Sequence, residues 1–282
     1  MKLVRYGEAG REKPGLIDAG GKLRDLSAAV DDLGGPALRP EGLAKLKALD
    51  PAKLPLVSGN PRLGVPVAGI GKIVAIGLNY SDHAAESNLP VPKEPIIFMK
   101  ATSSLSGPSD RVVIPKGSEK SDWEVELAVV IGKPASYVTD ADALSHVAGY
   151  LICNDVSERA FQIERGGQWD KGKGCDTFCP LGPWLVTSDE IKDPQALDMW
   201  LDLNGEKAQR GNTRTMVFGV AHIISYVSQF MSLQTGDVIT TGTPPGVGMG
   251  MKPPCYLKPG DVMTLGIAGL GEQRQECVAW KR

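Results

Sequence analysis

The chain has 282 residues, 42% hydrophobic and 23% charged, and its 31 Lys plus Arg nearly balance 33 Asp plus Glu. That length allows one large domain or two smaller ones with ample core, and the balanced charge argues against a nucleic-acid or anionic-membrane surface as the main partner. No stretch approaches the roughly 20 apolar residues of a membrane span, MKLVRYGEAGREKPG lacks the apolar run of a signal peptide, and five cysteines without a CxxC pair read as reduced thiols of a cytoplasmic protein.

Gly (34) and Pro (21) fall as punctuation between short β-like runs, which predicts a β-rich α+β fold. Strands are expected at KLVRY, PGLID and KLRDL, followed by a helical GLAKLKALD and the Pro-spaced link LPLVSGNPRLGVPVAG. Residues 1–70 are taken as a small N-terminal domain and 71–282 as the main one. The apolar run KIVAIGLNY ends at polar Asn79, and SDHAAESN reads as a short helix with Ser81 as cap. Strands follow at PIIFMK and SDWEVELAVVIG, a helix over DADALSHVAGY, and a strand at YLICND. The apolar spacing of TRTMVFGVAHIISYVSQFMS predicts a long helix with Asn212 and Thr213 as capping residues. After TGTPPGVGMGMKPP, LKPGDVMTLGI gives a turn and a further strand.

SDWEVELAVVIG raises the chemical question. In an extended chain, residues two apart point the same way, so Asp122, Glu124 and Glu126 share one face and lead into a wholly apolar run. Buried like charges raise one another's pKa. A divalent cation removes that conflict, and oxygen ligands on strands suit Mg²⁺, Mn²⁺ or Ca²⁺. Glu124, Glu126 and Asp155 of LICNDVSER can supply three ligands, with Asp122 a fourth or a supporting group. His83 and Glu86 of HAAE are adjacent on one helical face, and a carboxylate beside an imidazole suits a general base acting on water. His146 and His222, in apolar helical stretches, read as structural. Arg159 and Gln162 follow Asp155 by four and seven residues, which on a helix places them on its side. TGTPPG reads as a rigid turn offering the Thr243 hydroxyl and nearby N–H groups, Gly242 among them, to a carboxylate. Lys100 ends the strand PIIFMK and can add positive charge. GQWDKGKG fits a phosphate-loop pattern except that Gly174 replaces its hydroxyl residue, and GVGMG lacks the helix of a dinucleotide fold.

Glu-x-Glu after a strand followed by Asn-Asp-x-x-x-Arg resembles the fumarylacetoacetate hydrolase family. The resemblance continues through GLNYSDHAAE, IIFMK, GKGCDTFCPLGPWLVT, DLNGE and TGTPPGVG, from about Lys72 to Leu270. It implies a mixed β-sandwich roll with a small N-terminal domain, usually a homodimer, with Glu124, Glu126 and Asp155 as metal ligands and His83 as the base on a lid. It further implies Arg159 and Gln162 near substrate oxygens and Lys173, in preference to Lys171, neutralising charge on the substrate; Gly174 stands where many relatives have Ser. ERGGQWDKGKGCDTFCPLGPWLVT and MKLVRYG resemble the sugar-acid branch, which splits 2,4-diketo-3-deoxy acids derived from L-rhamnonate or L-fuconate to pyruvate and lactate. On that reading His83, aligned by Glu86, activates a water that attacks C4, and the C3–C4 bond breaks to release pyruvate enolate. Acylpyruvate hydrolysis, oxaloacetate decarboxylation, a ureidoglycolate lyase-type activity and a non-catalytic metal-binding role are the rival expectations.

Overall fold

The computed structural model of the chain describes residues 1–82 and 90–281. Its centre is a ten-stranded mixed sheet whose path runs Leu23–Asp25, Lys13–Ile17, Lys2–Tyr6, Cys179–Thr187, Val147–Asn154, Val125–Ile131, Val238–Thr240, Ile73–Gly77 and Ile96–Lys100, with Leu105–Ser106 on Cys179–Thr187. A five-stranded sheet, in the order Glu206–Asn212, Asp198–Leu203, Val262–Ile267, Gly271–Ala279 and Val112–Ile114, packs against it. The architecture is α+β and β-rich. The N-terminal strands extend the same ten-stranded sheet, through Lys2 and Leu3 opposite Val186 and Leu185.

The apolar run beyond Glu126 is explained by two cores. Every residue of Val125–Ile131 is buried. Val125, Leu127, Val129 and Ile131 join Met199, Leu201, Met263 and Leu265 in the layer between the sheets. Ala128 and Val130 face the opposite way, against Leu26, Leu33, Leu38 and Leu46 of the N-terminal region. A strand covered on both faces loses the polar alternation of a half-exposed one.

Three local expectations change. Over 140–150 the helix ends early: Asp140–Ala143 is helical, Leu144–His146 is a 3₁₀ turn, and Val147 begins a strand opposite Ile131. The backbone of the central strand needs a hydrogen-bonded neighbour, and that demand outranks the helical spacing of the apolar residues. The helix expected over 213–232 is only Val220–Val227. Asn212 does cap, but it caps the 3₁₀ turn Thr213–Thr215 by accepting from Arg214 N–H, while Met216 bridges to Tyr80 and Gly219 opens the helix. The hairpin Asp198–Leu203/Glu206–Asn212 was not anticipated; its turn is Asn204-Gly205, both at positive φ (54° and 85°), a pair suited to a two-residue hairpin. Among the described residues no helix is long and apolar enough to cross a membrane.

Leu127, fully buried between the sheets, and Leu144, 44% exposed, make a direct comparison. Leu127→Ala is expected to cost about 2–5 kcal/mol in urea unfolding and Leu144→Ala within about 0.5 kcal/mol.

Candidate active site

Strand register brings the acids together. Cys153 lies opposite Glu126 and Asn154 opposite Val125, so the chain leaving Asn154 runs beside Glu124. Asp155 N–H donates to Glu124 C=O at 2.8 Å, and Glu124 N–H donates to Asn154 Oδ1 at 3.2 Å. One ligand oxygen from each of Glu124, Glu126 and Asp155 falls within 4.8 Å of the others, and all three residues are buried.

Asp122 stands outside that group. The strand expected to run through 121–132 is interrupted: Ser121–Asp122 pairs with Ser157–Glu158 and the main strand begins at Val125. The break turns Asp122 toward the loop after Val247, where it accepts from Gly248 N–H (2.7 Å) and Met249 N–H (3.0 Å), and toward Arg159 Nε at 2.8 Å. A Cβ on Gly248 would lie 1.9 Å from Cys255 C=O, so this close approach requires glycine.

Cations surround the acids. Arg159 spans Asp122 and Glu124, with NH2 2.8 Å and 2.7 Å from their oxygens, and its NH1 donates to Gln162 Oε1 at 3.2 Å. The helical path expected from Asp155 to these residues is absent: Ser157–Glu158 is extended and Ala160–Glu164 is a π-helix. Lys173, at the end of the short helix Asp170–Lys173, donates to Glu124 Oε2 at 2.7 Å and Asp155 Oδ2 at 2.8 Å. Lys171 turns away to Arg165 C=O at 2.7 Å. Lys100 lies behind Asp155, 2.6 Å from Oδ1 and hydrogen-bonded to Lys173 C=O.

Gly242, at φ 93°, donates its N–H to Glu126 Oε2 at 2.9 Å. The Thr243 hydroxyl donates to Val125 C=O and accepts from Gln209 Nε2, at 2.9 and 2.8 Å. These two groups line the pocket while bonded to the protein's own acid and backbone. His83 and Glu86 lie outside the described residues. His146 bonds Lys133 and Pro134 carbonyls, and His222 pairs with Asp140 at 3.0 Å.

Carboxyl groups outnumber the cations beside them. Four carboxylates, of Asp122, Glu124, Glu126 and Asp155, meet the three cations Arg159, Lys173 and Lys100. Burial pushes the Glu124 carboxyl up, but Lys173 and Arg159 overcome it and hold it well below the usual range. Burial also raises Glu126, and there the charges of Asp155 and Glu124 add to it, so its carboxyl is pushed well up. Asp155 Oδ1 is fully buried against the Lys100 ammonium, 2.6 Å away. Three converging carboxyl groups, one of which has no cation partner among the described residues, fit a hard divalent cation.

The cavity in front of the acids, about 120 Å³, is bounded among the described residues by Glu124, Glu126, Arg159, Gln162, Lys173 and an apolar side that includes Phe98, Ile163, Trp169 and Met249. The apolar side went unread in the sequence, because its four residues come from separate segments with no common periodicity. Asn79 and Gln209 were also missed as organisers: Asn79 Nδ2 bonds Thr241 and Phe218 carbonyls, and Gln209 bonds Val125 N–H, Thr243 and Pro244. The one signal for Asn79 was an amide ending an apolar strand.

Known proteins resemble this chain along its length. A Burkholderia multivorans protein that carries the general label of hydrolase, without a substrate, is 66% identical over 98% of each chain. The fumarylacetoacetate hydrolase of psychrophilic Exiguobacterium antarcticum superposes with a TM-score of 0.86 at 36% identity, covering 99% of this chain and 100% of that one. A maleylpyruvate hydrolase from Sphingobium sp. SYK-6, solved with manganese(II) and pyruvate, does so with a TM-score of 0.82 at 31% identity over 100% of both chains. The family model described as fumarylacetoacetate (FAA) hydrolase C-terminal matches residues 72–278, the span that holds the buried acids, Arg159, Lys173 and the Gly242 turn, and the chain belongs to the fumarylacetoacetate hydrolase family.

Proposed function

We propose that the protein is a divalent-metal-dependent hydrolase that cleaves the C3–C4 bond of a 2,4-dioxo acid, a 2,4-diketo-3-deoxy sugar acid in the sugar-acid reading, to pyruvate and a hydroxy acid such as lactate. The observation that carries this reading is the buried group Glu124, Glu126 and Asp155 with Lys173 and Arg159 against it. The manganese and pyruvate of the Sphingobium neighbour support it.

Glu124, Glu126 and Asp155 would hold the cation, Mg²⁺ or alternatively Mn²⁺ or Ca²⁺, which supplies Lewis-acid stabilisation of negative charge on substrate oxygens. The reaction adds water to C4, breaks C3–C4 with its electron pair passing to the pyruvate fragment as enolate, and returns a proton to C3. His83, aligned by Glu86, takes the proton from the water. Lys173, which lies against Glu124 and Asp155, places an ammonium where the enolate charge develops. Arg159, held by Asp122, orients substrate oxygens together with Gln162. Gly242 and Thr243 shape the turn beneath Glu126. Lys100 pairs with Asp155 from behind rather than touching substrate. A cytoplasmic homodimer completes the proposal, and light scattering on the purified protein tests the dimer.

Incubation with Mg²⁺ and a panel of 2,4-dioxo acids is expected to release pyruvate, with oxaloacetate in the panel to expose a decarboxylase instead. EDTA should abolish release and Mg²⁺ or Mn²⁺ restore it; indifference to EDTA in protein shown metal-free by elemental analysis rejects the metal role. His83→Ala is expected to lose about 10²–10⁴-fold in kcat while still binding Mn²⁺ by calorimetry. Asp155→Asn should lose Mn²⁺ binding itself, by more than the roughly 10–100-fold that follows loss of a residue supporting a ligand. Full turnover in His83→Ala removes its role as base.

A further inference from the structure

The cavity has two chemically opposite ends. The charged lining residues among those described are Glu124, Glu126, Arg159 and Lys173, of which Glu124 pairs with both Arg159 and Lys173. The same cavity is also lined by a hydrocarbon wall of Phe98 and Trp169 with the partly exposed Ile163 and Met249. The rings of Phe98 and Trp169 meet edge to face, with centroids 5.2 Å apart at 63°, and the Lys173 ammonium lies 5.2 Å from the Phe98 ring on the side of the acids. The wall therefore begins where the charged end stops.

The wall is built to stay in place. Gly77 ends the strand Ile73–Gly77, and a Cβ there would come within 2.5 Å of Trp169 Cζ3, so the indole is seated directly on the glycine backbone. Met99 N–H donates to the Asp170 carboxylate at 3.0 Å, tying the turn that carries Trp169 to the strand that carries Phe98. Trp169 C=O accepts from Lys173 N–H at 3.1 Å, so the indole and the ammonium share one helical turn. A group pressed on the wall is fixed relative to Lys173.

Resting on the proposed reaction, we infer that the Phe98–Ile163–Trp169–Met249 wall is the specificity-determining surface for the group attached to C4, and that it takes a short tail ending in carbon and rejects a tail ending in carboxylate. With the carboxylate and 2-oxo end at the acids and cations, the tail lies against the rings. A methyl or hydroxyethyl tail buries its carbon there and can direct a hydroxyl to the Gln162 amide, whose Oε1 is already taken by Arg159. A terminal carboxylate would lose water against hydrocarbon, and the two lining cations, Arg159 and Lys173, are already committed to Glu124 and Asp155, a penalty that paired polar sites avoid. The whole cavity, charged and apolar parts together, measures about 120 Å³, which leaves room for only a small tail beside the oxo-acid head.

The test compares kcat/KM for pyruvate release from 2,4-dioxopentanoate, 5-hydroxy-2,4-dioxohexanoate and 2,4-dioxoheptanedioate, together with their affinities for Mg²⁺-loaded protein by calorimetry. The first two are expected to exceed the dicarboxylate by about 100-fold, on the scale of pocket-based discrimination. Met249→Lys, at a site 36% exposed and tolerant of change, should raise kcat/KM for the dicarboxylate by about tenfold or more without raising the methyl-tailed acid. Trp169→Ala should shrink the preference, and Trp169→Phe should keep most of it. A wild-type preference for the dicarboxylate, or a Met249→Lys effect equal for all tails, overturns the inference. Absence of turnover with every acid defeats the hydrolase reading alone; the affinities then decide, and equal binding of methyl and carboxylate tails overturns the wall.

Discussion

Four carboxylates buried side by side are the constraint around which this molecule is arranged. Like charges a few ångströms apart in a medium from which water is excluded cannot all remain ionised without compensation. The chain answers with Arg159 between Asp122 and Glu124, Lys173 between Glu124 and Asp155, and Lys100 behind Asp155. Glu126 is left with a backbone N–H as its named partner, and its carboxyl is the one pushed up. The asymmetry has a chemical meaning: where three carboxyl groups converge, one of them has no cation partner among the described residues.

The fold keeps those groups from relaxing. The strand bearing Glu126 is buried on both faces, its odd-numbered residues in the core between the sheets and Ala128 and Val130 in the core under the N-terminal strands. Its neighbour Val147–Asn154 delivers Asp155 by register. Loops from elsewhere lock the approach: Trp123 Nε1 donates to Gly246 C=O, Gln209 ties the main strand to the Thr243 turn, and Asn79 ties that turn to Phe218. Amides serve this role well because each offers both a donor and an acceptor to backbone that the sheets leave unpaired.

Charge and hydrocarbon divide the lining of the cavity between them. The charged part gathers the carboxyl groups of Glu124 and Glu126 with Arg159 and Lys173. The aromatic part sets the rings of Phe98 and Trp169 edge to face beside them. Lys173 belongs to both, paired with acids on one side and over the Phe98 ring on the other. Its place on the same turn as Trp169 fixes the ammonium relative to the indole.

Much of this was written in short range. The alternation of SDWEVEL and the acid after YLICN announced a carboxylate site at the mouth of a buried strand, and the ordered motifs from Lys72 onward pointed to the family. Those signals survive because they are properties of neighbouring residues: a strand's two faces, a turn's glycine, an acid that burial makes costly. Tertiary structure decided the rest. Which acid becomes a support rather than a member of the cluster depended on a break in the strand at 123–124 that turned Asp122 to Arg159 and the Gly248 loop. The ends of the helices over 140–150 and 213–232 were set by sheet pairing. The hydrocarbon wall joins residues 98, 163, 169 and 249, whose proximity no local pattern encodes. Residue chemistry and spacing state what a segment can do; only the closing of distant segments on one another, where burial removes water and makes each pairing count, selects what it does.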